Sequence, residues 1–262
     1  MTRAIRAELV KLLRRKVLVV TAAVTVAFSV GAAAVVLAAA RPAAEIRGGR
    51  GVSLASLGGA GGGAEVFTTA VSFAGTFLFV VFVGAMAAEF SRGTFRTMVL
   101  RQPRRVRLLA GKLAALLLFA AAALASVEVL VWLAARVLAP GQGVDTTAWT
   151  SAAAAGEAVA AYGSALLWIG GYAVLGTALA VVTRSVPVAL GVGIAWAGPF
   201  EHLLQDAWSS ADRLFPGLLL EAFVAGGTPT VSATRALATV SLYIVAAAAV
   251  AGLAVARRDV TS

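Results

Sequence analysis

The residues that could do chemistry in this sequence are few and mostly isolated. The single histidine, His202, follows Glu201 and lies one helical turn before Asp206. These side chains offer imidazole and carboxylate groups, but a further nitrogen or sulfur ligand is missing, and the sequence contains no cysteine. We therefore interpret His202 as a surface or interfacial residue. We predict no catalytic residue, no cofactor-binding residue and no metal site in this chain.

A second chemical pattern, Gly111-Lys112, resembles the end of a phosphate-binding loop. The match fails at both ends, because Val106 stands where the first glycine belongs and Leu113 replaces the required serine or threonine. The sequence therefore offers no means of binding ATP in this chain.

The composition points to a membrane protein. Of the 262 residues, 60% are hydrophobic and only 13% are charged, and the mean hydropathy is +0.92. Soluble domains carry roughly a quarter charged residues. The net charge of +10 is segregated by position, without the interleaved aromatics with which single strands are bound, so we predict no nucleic-acid partner.

Long apolar segments predict an all-α, polytopic membrane protein with six transmembrane helices. The first segment has 24 uncharged residues, enough to cross a bilayer, and it exceeds the apolar length typical of a secretory signal peptide. Residues 1–16 before it predict an amphipathic interfacial helix, with Ile5, Leu9, Leu12 and Leu13 on one face. The six predicted spans are 17–40, 67–88, 113–134, 158–182, 186–200 and 236–256.

The connections between these segments predict the orientation. Sixteen of the 22 Lys and Arg residues fall in the connections that share a side with the N-terminus, and six fall on the other side. The positive-inside rule then places both termini in the cytoplasm. Residues 41–66 are glycine-rich and predict a flexible external loop, whereas residues 201–235 predict short external or re-entrant helices.

Some polar and aromatic residues within the predicted spans have two open interpretations. Glu128 is either a polar contact in a translocation route or a snorkelling or hydrogen-bonded structural acid, since a charge inside a span is costly. Trp168, Tyr172, Trp196 and Tyr243 either line a pathway for amphiphilic cargo or pack between helices. These five residues form the candidate translocation pathway.

Small residues recur every four positions on the fifth predicted span, at Ala189, Gly193 and Ala197. This spacing permits close approach of two helix backbones. We expect a helix–helix contact there, either within the chain or between protomers.

The densest positive charge lies in residues 89–112, between the second and third predicted spans. Gly93 lets the chain leave the second span, and we expect the Thr94 side chain to cap a following turn. Residues 95–102 then predict a short helix that Pro103 ends. It would present three apolar side chains to a partner: Phe95, Met98 and Val99. A plain cytoplasmic loop that obeys charge bias alone is the alternative.

This stretch resembles the pattern that follows the second span in permeases of type-2 ABC exporters. The resemblance rests on Glu89, Gly93-Thr94, Pro103, Arg105 and Lys112, on the basic N-terminal helix and on the six predicted spans. Arg104 departs from the pattern, since a serine often stands at that place.

The resemblance implies a multi-pass protein of the bacterial plasma membrane whose partners are a separate ABC ATPase subunit, a second permease protomer (homo- or heterodimer) and the lipid bilayer. ATP and Mg²⁺ would be bound by the ATPase, and residues 89–112 would form the coupling loop that docks on it. The coupling residues implied are Glu89, Gly93, Thr94, Phe95, Arg96, Met98, Val99, Pro103 and Arg105. Two alternatives remain from the residues alone: a non-transporting scaffold or sensor subunit, and an ion-coupled carrier working through Glu128.

Overall fold

The structure, a computed structural model, describes residues 2–45, 51–95, 99, 104–196, 200–208 and 210–257. Helices dominate this part of the chain, at 85%, and it contains isolated β-bridges but no β-strand. The all-α prediction is therefore confirmed.

The helices, numbered in chain order, begin and end as follows. They are α1 Thr2–Leu12, α2 Arg15–Ala39, α3 Leu54–Leu57, α4 Gly62–Ser91, α5 Arg105–Leu138, α6 Ala152–Thr183, α7 Val186–Ala195, α8 Glu201–Ala207, α9 Pro216–Val224 and α10 Ala233–Arg257. Short 3₁₀ turns occupy Ala43–Glu45, Ala139–Gln142, Thr147–Thr150 and Ala211–Arg213.

Four helical stretches in the described residues are long and apolar enough to cross a bilayer: Arg15–Ala39, Arg105–Gln142, Ala152–Thr183 and Ala233–Arg257. Large apolar side chains on their surfaces are exposed, as Val19 and Val24 are on α2, which suits contact with lipid. These features are compatible with a membrane protein. The second and fifth predicted spans fall in α4 and α7, whose described apolar stretches are shorter, so six spans stay a prediction.

The first helix is shorter than predicted. It ends at Leu12 rather than Lys16, and α2 begins at Arg15 after Arg14 adopts an extended backbone. No glycine or proline marks this break. Local helix propensity alone would have continued through it, because leucine, arginine and lysine are all good helix formers.

The chain divides into two compact units, of which the first comprises Met1–Lys11, Ala74–Phe119 and Trp168–Ser262. Its core includes Trp168 and the consecutive leucines 218–220 of α9, all fully buried. A Cβ on Gly171 of α6 would come within 2.8 Å of Leu220 Cδ2. Glycine is therefore what lets α6 and α9 approach so closely.

The small-residue spacing on α7 serves a contact inside this first unit. Ala189 and Gly193 are both buried, and a Cβ on Gly193 would lie 3.0 Å from Phe79 Cε1 of α4. The structure shows a helix–helix contact within the chain for these residues, and a contact between protomers stays a prediction. Ala197 lies outside the described residues.

The second unit comprises Leu12–Phe73 and Ala120–Leu167. It corrects the prediction that residues 41–66 are a flexible loop, as far as that segment is described. The indole Nε1 of Trp149, which is buried, donates to the Leu57 carbonyl oxygen at 2.8 Å. A Cβ on Gly62 would collide with that same carbonyl, and one on Gly63 would lie 2.7 Å from Trp132 Cδ1. These two glycines are the first residues of α4 and lie against Trp132 and Trp149. Their small size therefore matters here, and not their flexibility.

Residues 201–235 contain two short helices, α8 and α9, followed by a turn at residues 228–230 that side-chain hydrogen bonds hold in place. The buried Asp212 accepts hydrogen bonds from the hydroxyls of Thr228 (2.7 Å) and Thr230. Arg213 Nε donates to the Thr230 carbonyl oxygen at 3.0 Å. The prediction of short helices is met in the described residues, while external or re-entrant placement stays a prediction.

Candidate functional site

The candidate site is an ionic cluster around Lys112 of α5. This lysine is only 3% exposed, and its Nζ lies 2.7 Å from Glu8 Oε1 of α1 and 3.0 Å from Glu89 Oε1 of α4. A buried ammonium is costly unless charged partners surround it. Two carboxylates from distant parts of the chain meet this need. We call Glu8, Glu89, Thr94 and Lys112 the Lys112 cluster.

The helix periodicity of α5 explains why Lys112 points inward. Leu108, Lys112 and Ala115 follow one another at intervals of four and three residues, and all three are buried. Residues with this spacing share one helix face. The lysine is therefore placed on the apolar face of α5, which requires it to be paired.

Glu8 is the cluster residue that sequence reasoning missed. It also accepts a hydrogen bond from Lys11 Nζ at 2.9 Å, one helical turn further along α1. Burial alone would raise the pKa of Glu8, but the hydrogen bonds and charges of Lys112 and Lys11 outweigh it and hold the pKa below its ordinary value. The carboxylate is therefore ionised at neutral pH. The only local signal was an acid on an otherwise basic helix.

The end of α4 brings Glu89 and Thr94 together. Gly93 adopts a left-handed backbone (φ 67°) just after the helix ends, a conformation that costs glycine little. The chain turns back, and the Thr94 hydroxyl donates to Glu89 Oε2 at 2.6 Å. Thr94 thus binds the preceding helix, and the cap that we expected it to form on a following turn stays a prediction. That turn lies outside the described residues.

Phe95 corrects a further expectation. Instead of presenting its ring to a partner, it is 3% exposed and packs on Phe90, with ring centroids 4.6 Å apart. The left-handed turn at Gly93 folds the ring back onto α4, where burial of an aromatic surface is favourable. Val99 is half-buried, and Arg105 opens α5. The predicted coupling residues Arg96, Met98 and Pro103 lie outside the described residues.

Four of the five candidate pathway residues lie in the first unit. Trp168 and Tyr172 are fully buried and stack edge to face (5.1 Å between ring centroids), and Tyr172 contacts Phe79 in the same way at 5.5 Å. This is helix packing within the first unit, the second of the two interpretations for this pair. Trp196 and Tyr243 are exposed.

Glu128 belongs to the second unit, on the part of α5 that follows Phe119. Its Oε1 atom is buried and has no hydrogen-bond partner among the described residues. A buried polar atom without a partner carries a desolvation cost, so the described contacts do not account for the burial of this oxygen.

A second buried acid, Glu201, was considered only as a metal ligand in the sequence. It is 1% exposed, and its Oε2 accepts a hydrogen bond from the Leu218 backbone N–H at 2.9 Å, at the start of α9. Gly217 makes room for the carboxylate, since a Cβ there would collide with Glu201 Oε2. We call this arrangement the Glu201 cap. The Phe-Pro-Gly sequence at 215–217 signalled a helix start whose N–H groups need an acceptor.

The Glu201 cap is incompletely satisfied. Oε1 is buried without a hydrogen-bond partner in the described part of the chain. Burial is the largest influence, and the charge of Glu221 adds to it. Hydrogen bonding from the Leu218 and Gly217 backbone and from the Trp196 side chain opposes these effects, but the pKa of Glu201 is still raised to about 7. Its neighbour His202 is 48% exposed and lies 3.3 Å from Glu221 Oε2. No group of three or more metal-binding side chains occurs in the described residues.

Comparison with known proteins places the chain in a family. A family model described as "Protein of unknown function (DUF2705)" matches residues 46–261, most of the chain. The chain belongs to this family. No curated protein and no solved structure matches the chain. The family description assigns no activity.

Proposed function

We propose that this chain is the permease subunit of an ABC exporter in the bacterial plasma membrane. It would cross the membrane six times with both termini in the cytoplasm, and move a substrate with ATP hydrolysed by a separate ATPase subunit. Four long apolar helices and the resemblance of residues 89–112 to the coupling loop of type-2 exporter permeases support this proposal. A second permease protomer would complete the pathway.

The observation that carries the proposal is the Lys112 cluster. The first and last residues of the basic loop, Glu89 and Lys112, form an ion pair with each other. Lys112 also forms an ion pair with Glu8 of α1. A force applied to the loop would therefore reach α1, α4 and α5 together. Rigid tilting of packed helices is a common way in which such a force produces domain motion.

The burial of Phe95 separates its role from that of the other apolar residues in the loop. Phe95 holds the loop against Phe90 of α4, so we assign the docking contact to Met98 and Val99. An aspartate at position 98 would place a charge in an apolar interface, where it is costly.

Docking is tested by co-expressing the chain with the ABC ATPase encoded nearest to it and measuring co-purification and ATP hydrolysis. Met98→Asp should lose most of the bound ATPase. Val137→Asp is the matched control, because Val137 is a highly exposed valine near the other end of α5, and it should keep the ATPase. Undiminished association and transport in Met98→Asp would overturn the docking role.

Transmission is tested separately at Thr94. Thr94→Val removes the hydroxyl bonded to Glu89 and should leave ATPase association intact while lowering substrate-dependent ATP hydrolysis several-fold. Thr94→Ser keeps the hydroxyl and should behave as the native chain. Equal coupling in the two variants would show that this bond transmits nothing.

Flux into vesicles distinguishes the alternatives. A complex that binds the ATPase but shows no ATP-dependent flux would be the scaffold or sensor. An ion-coupled carrier has one observation in its favour, the unpartnered buried oxygen of Glu128. Transport by the chain alone, driven by an ion gradient and abolished by Glu128→Gln, would establish the carrier and exclude the exporter.

A further inference from the structure

A shallow basic depression lies where α5 begins and α10 ends. It has a volume of about 430 Å³ and is lined by Arg104, Arg105, Val106, Arg107 and Ala256. The described residues that line it include three arginines and no acid. We call it the arginine depression.

The position of the arginine depression relates it to a membrane surface. Arg105 is the first residue of one helical stretch long enough to cross a bilayer, and Ala256 is the penultimate residue of another. Helices that cross a bilayer leave their ends at the level of the lipid headgroups. The depression would therefore lie at that level.

The chemistry of the arginine depression suits a phosphate ester. Arg104 and Arg107 are exposed and form none of the ion pairs found among the described residues. Guanidinium groups bind phosphate oxygens in a bidentate manner, and the N–H groups at the start of α5 also favour an anion. Lys112, seven residues after Arg105, is instead paired with two carboxylates and is not available.

Val106 distinguishes a lipid from a soluble anion. This valine is 46% exposed and lies between the arginines of the depression. A site for free phosphate gains nothing from an exposed apolar side chain, whereas the glycerol and upper acyl carbons of a lipid would cover it. Basic clusters between helix ends are known to hold anionic headgroups.

We propose that the arginine depression binds the headgroup phosphate of one anionic phospholipid from the adjacent leaflet. Arg104 and Arg107 hold the phosphate, and Val106 contacts the glycerol and first acyl carbons. This inference requires that the chain lie in a membrane, but it does not require exporter activity.

The test is lipid retention. The full chain is reconstituted in nanodiscs of phosphatidylcholine with a tenth of phosphatidylglycerol, extracted in detergent and weighed by native mass spectrometry. The native chain should retain one phosphatidylglycerol. Arg104→Gln with Arg107→Gln should lower that retention about tenfold. The control, Arg6→Gln with Arg92→Gln, removes the same charge from two exposed arginines elsewhere and should change retention less than twofold.

Other outcomes would overturn the proposal. An equal loss in both double variants would mean diffuse attraction of lipid to a basic protein. Displacement of the lipid by inorganic phosphate would mean a site for a free anion. Loss of ATPase association with unchanged lipid retention would assign the arginines to a protein interface.

A second variant keeps the test valid if the glutamine variant does not fold. Arg104→Lys with Arg107→Lys preserves the charge but not the bidentate geometry. It should retain the lipid yet release it several-fold faster on transfer to phosphatidylcholine. Unchanged release would exclude a specific guanidinium site.

Discussion

Lys112 and Glu201 are both buried ionisable side chains in the same unit of the chain, yet they differ in how many partners offset the cost of burying their polar atoms. Lys112 has a carboxylate from each of two helices. Glu201 has a backbone N–H on one oxygen and no partner in the described residues on the other. Equal burial therefore does not imply equal sensitivity to pH, because what decides the sensitivity is whether the charge is paired.

The two pKa directions express this difference. The pKa of Glu8 in the Lys112 cluster is lowered, so its contribution to stability is present above its ordinary value of 4.5 and is lost only as the pH falls through the lower folded value. The pKa of Glu201 is raised to about 7, so its contribution is present below 4.5 and is lost as the pH rises through about 7. Of these two carboxyl groups, Glu201 should titrate near neutral pH and Glu8 should not.

The largest effect is expected for Lys112→Met. Removing the lysine leaves two carboxylates close together, with Glu8 still paired with Lys11 and Glu89 without the lysine that it faced. We expect this to lower the free energy of unfolding by about 3 kcal/mol. Thermal unfolding in detergent at pH 7.5 measures this. Arg92→Gln, which removes an exposed arginine from the loop just after α4, is the control and should change stability by less than about 0.5 kcal/mol.

The acids of the Lys112 cluster should also contribute to stability. Glu8→Gln should cost less than Lys112→Met, because Lys112 keeps Glu89. If Lys112→Met were as stable as the native chain, pairing of Lys112 with the two carboxylates would not stabilise the fold.

A smaller effect, with a pH signature, is expected for Glu201→Gln. Between about pH 4.5 and 7 this carboxyl ionises in the unfolded chain but stays protonated in the fold, which lowers the stability of the fold, and the change in pKa corresponds to at most about 3.4 kcal/mol. Allowing for residual solvation, we expect the native chain to lose about 2 kcal/mol over that range. The glutamine variant should not lose it and should be the more stable protein at pH 8.

The groups facing Glu201 set the control for that measurement. Tyr172 and Glu221 lie close enough to interact electrostatically with it, and His202 pairs with Glu221. Because Glu221 helps to raise the pKa of Glu201, Glu221→Gln should move the transition to lower pH without removing it. An unchanged pH profile in Glu201→Gln would assign the transition to other groups.

The smallest effect is expected for Gly217→Ala. The new methyl group would collide with Glu201 Oε2 and lie 3.0 Å from the Tyr172 hydroxyl. Displacing the carboxylate from the start of α9 should cost about 1.5 kcal/mol. Gly252→Ala in α10 is the matched control, since nothing lies within 4 Å of its new methyl group. It should be neutral or stabilising by about 0.5 kcal/mol. Similar changes in both variants would mean that the cap has no steric requirement.

The sequence predicted what depends on local pattern. Uncharged runs identified the segments that became α2, α5, α6 and α10, because helix length and hydropathy are properties of contiguous residues. The same reasoning located the loop that contains Glu89 and Thr94. It identified Lys112 as part of the loop, but not as a buried residue.

What the sequence could not predict depends on contacts between distant residues. Glu8 looked like an isolated acid on a basic helix, and its partner is 104 positions away. The glycines 61–63 looked flexible, because their spacing does not reveal that Trp132 and Trp149 cover two of them. Phe95 looked exposed, because periodicity cannot show that the turn at Gly93 folds its ring onto α4.

The distance along the chain between Glu8 and Lys112 has a consequence for synthesis. Proteins are made from the N-terminus, so α1 leaves the ribosome 104 residues before the lysine that it pairs with. Until then, Lys11 is the only other ionic partner of Glu8 among the residues that the structure describes. Docking of α1 should therefore be a late event that follows the synthesis of α2 and α4. A nascent chain arrested before residue 112 should leave α1 open to proteolysis, and one arrested well beyond it should protect α1.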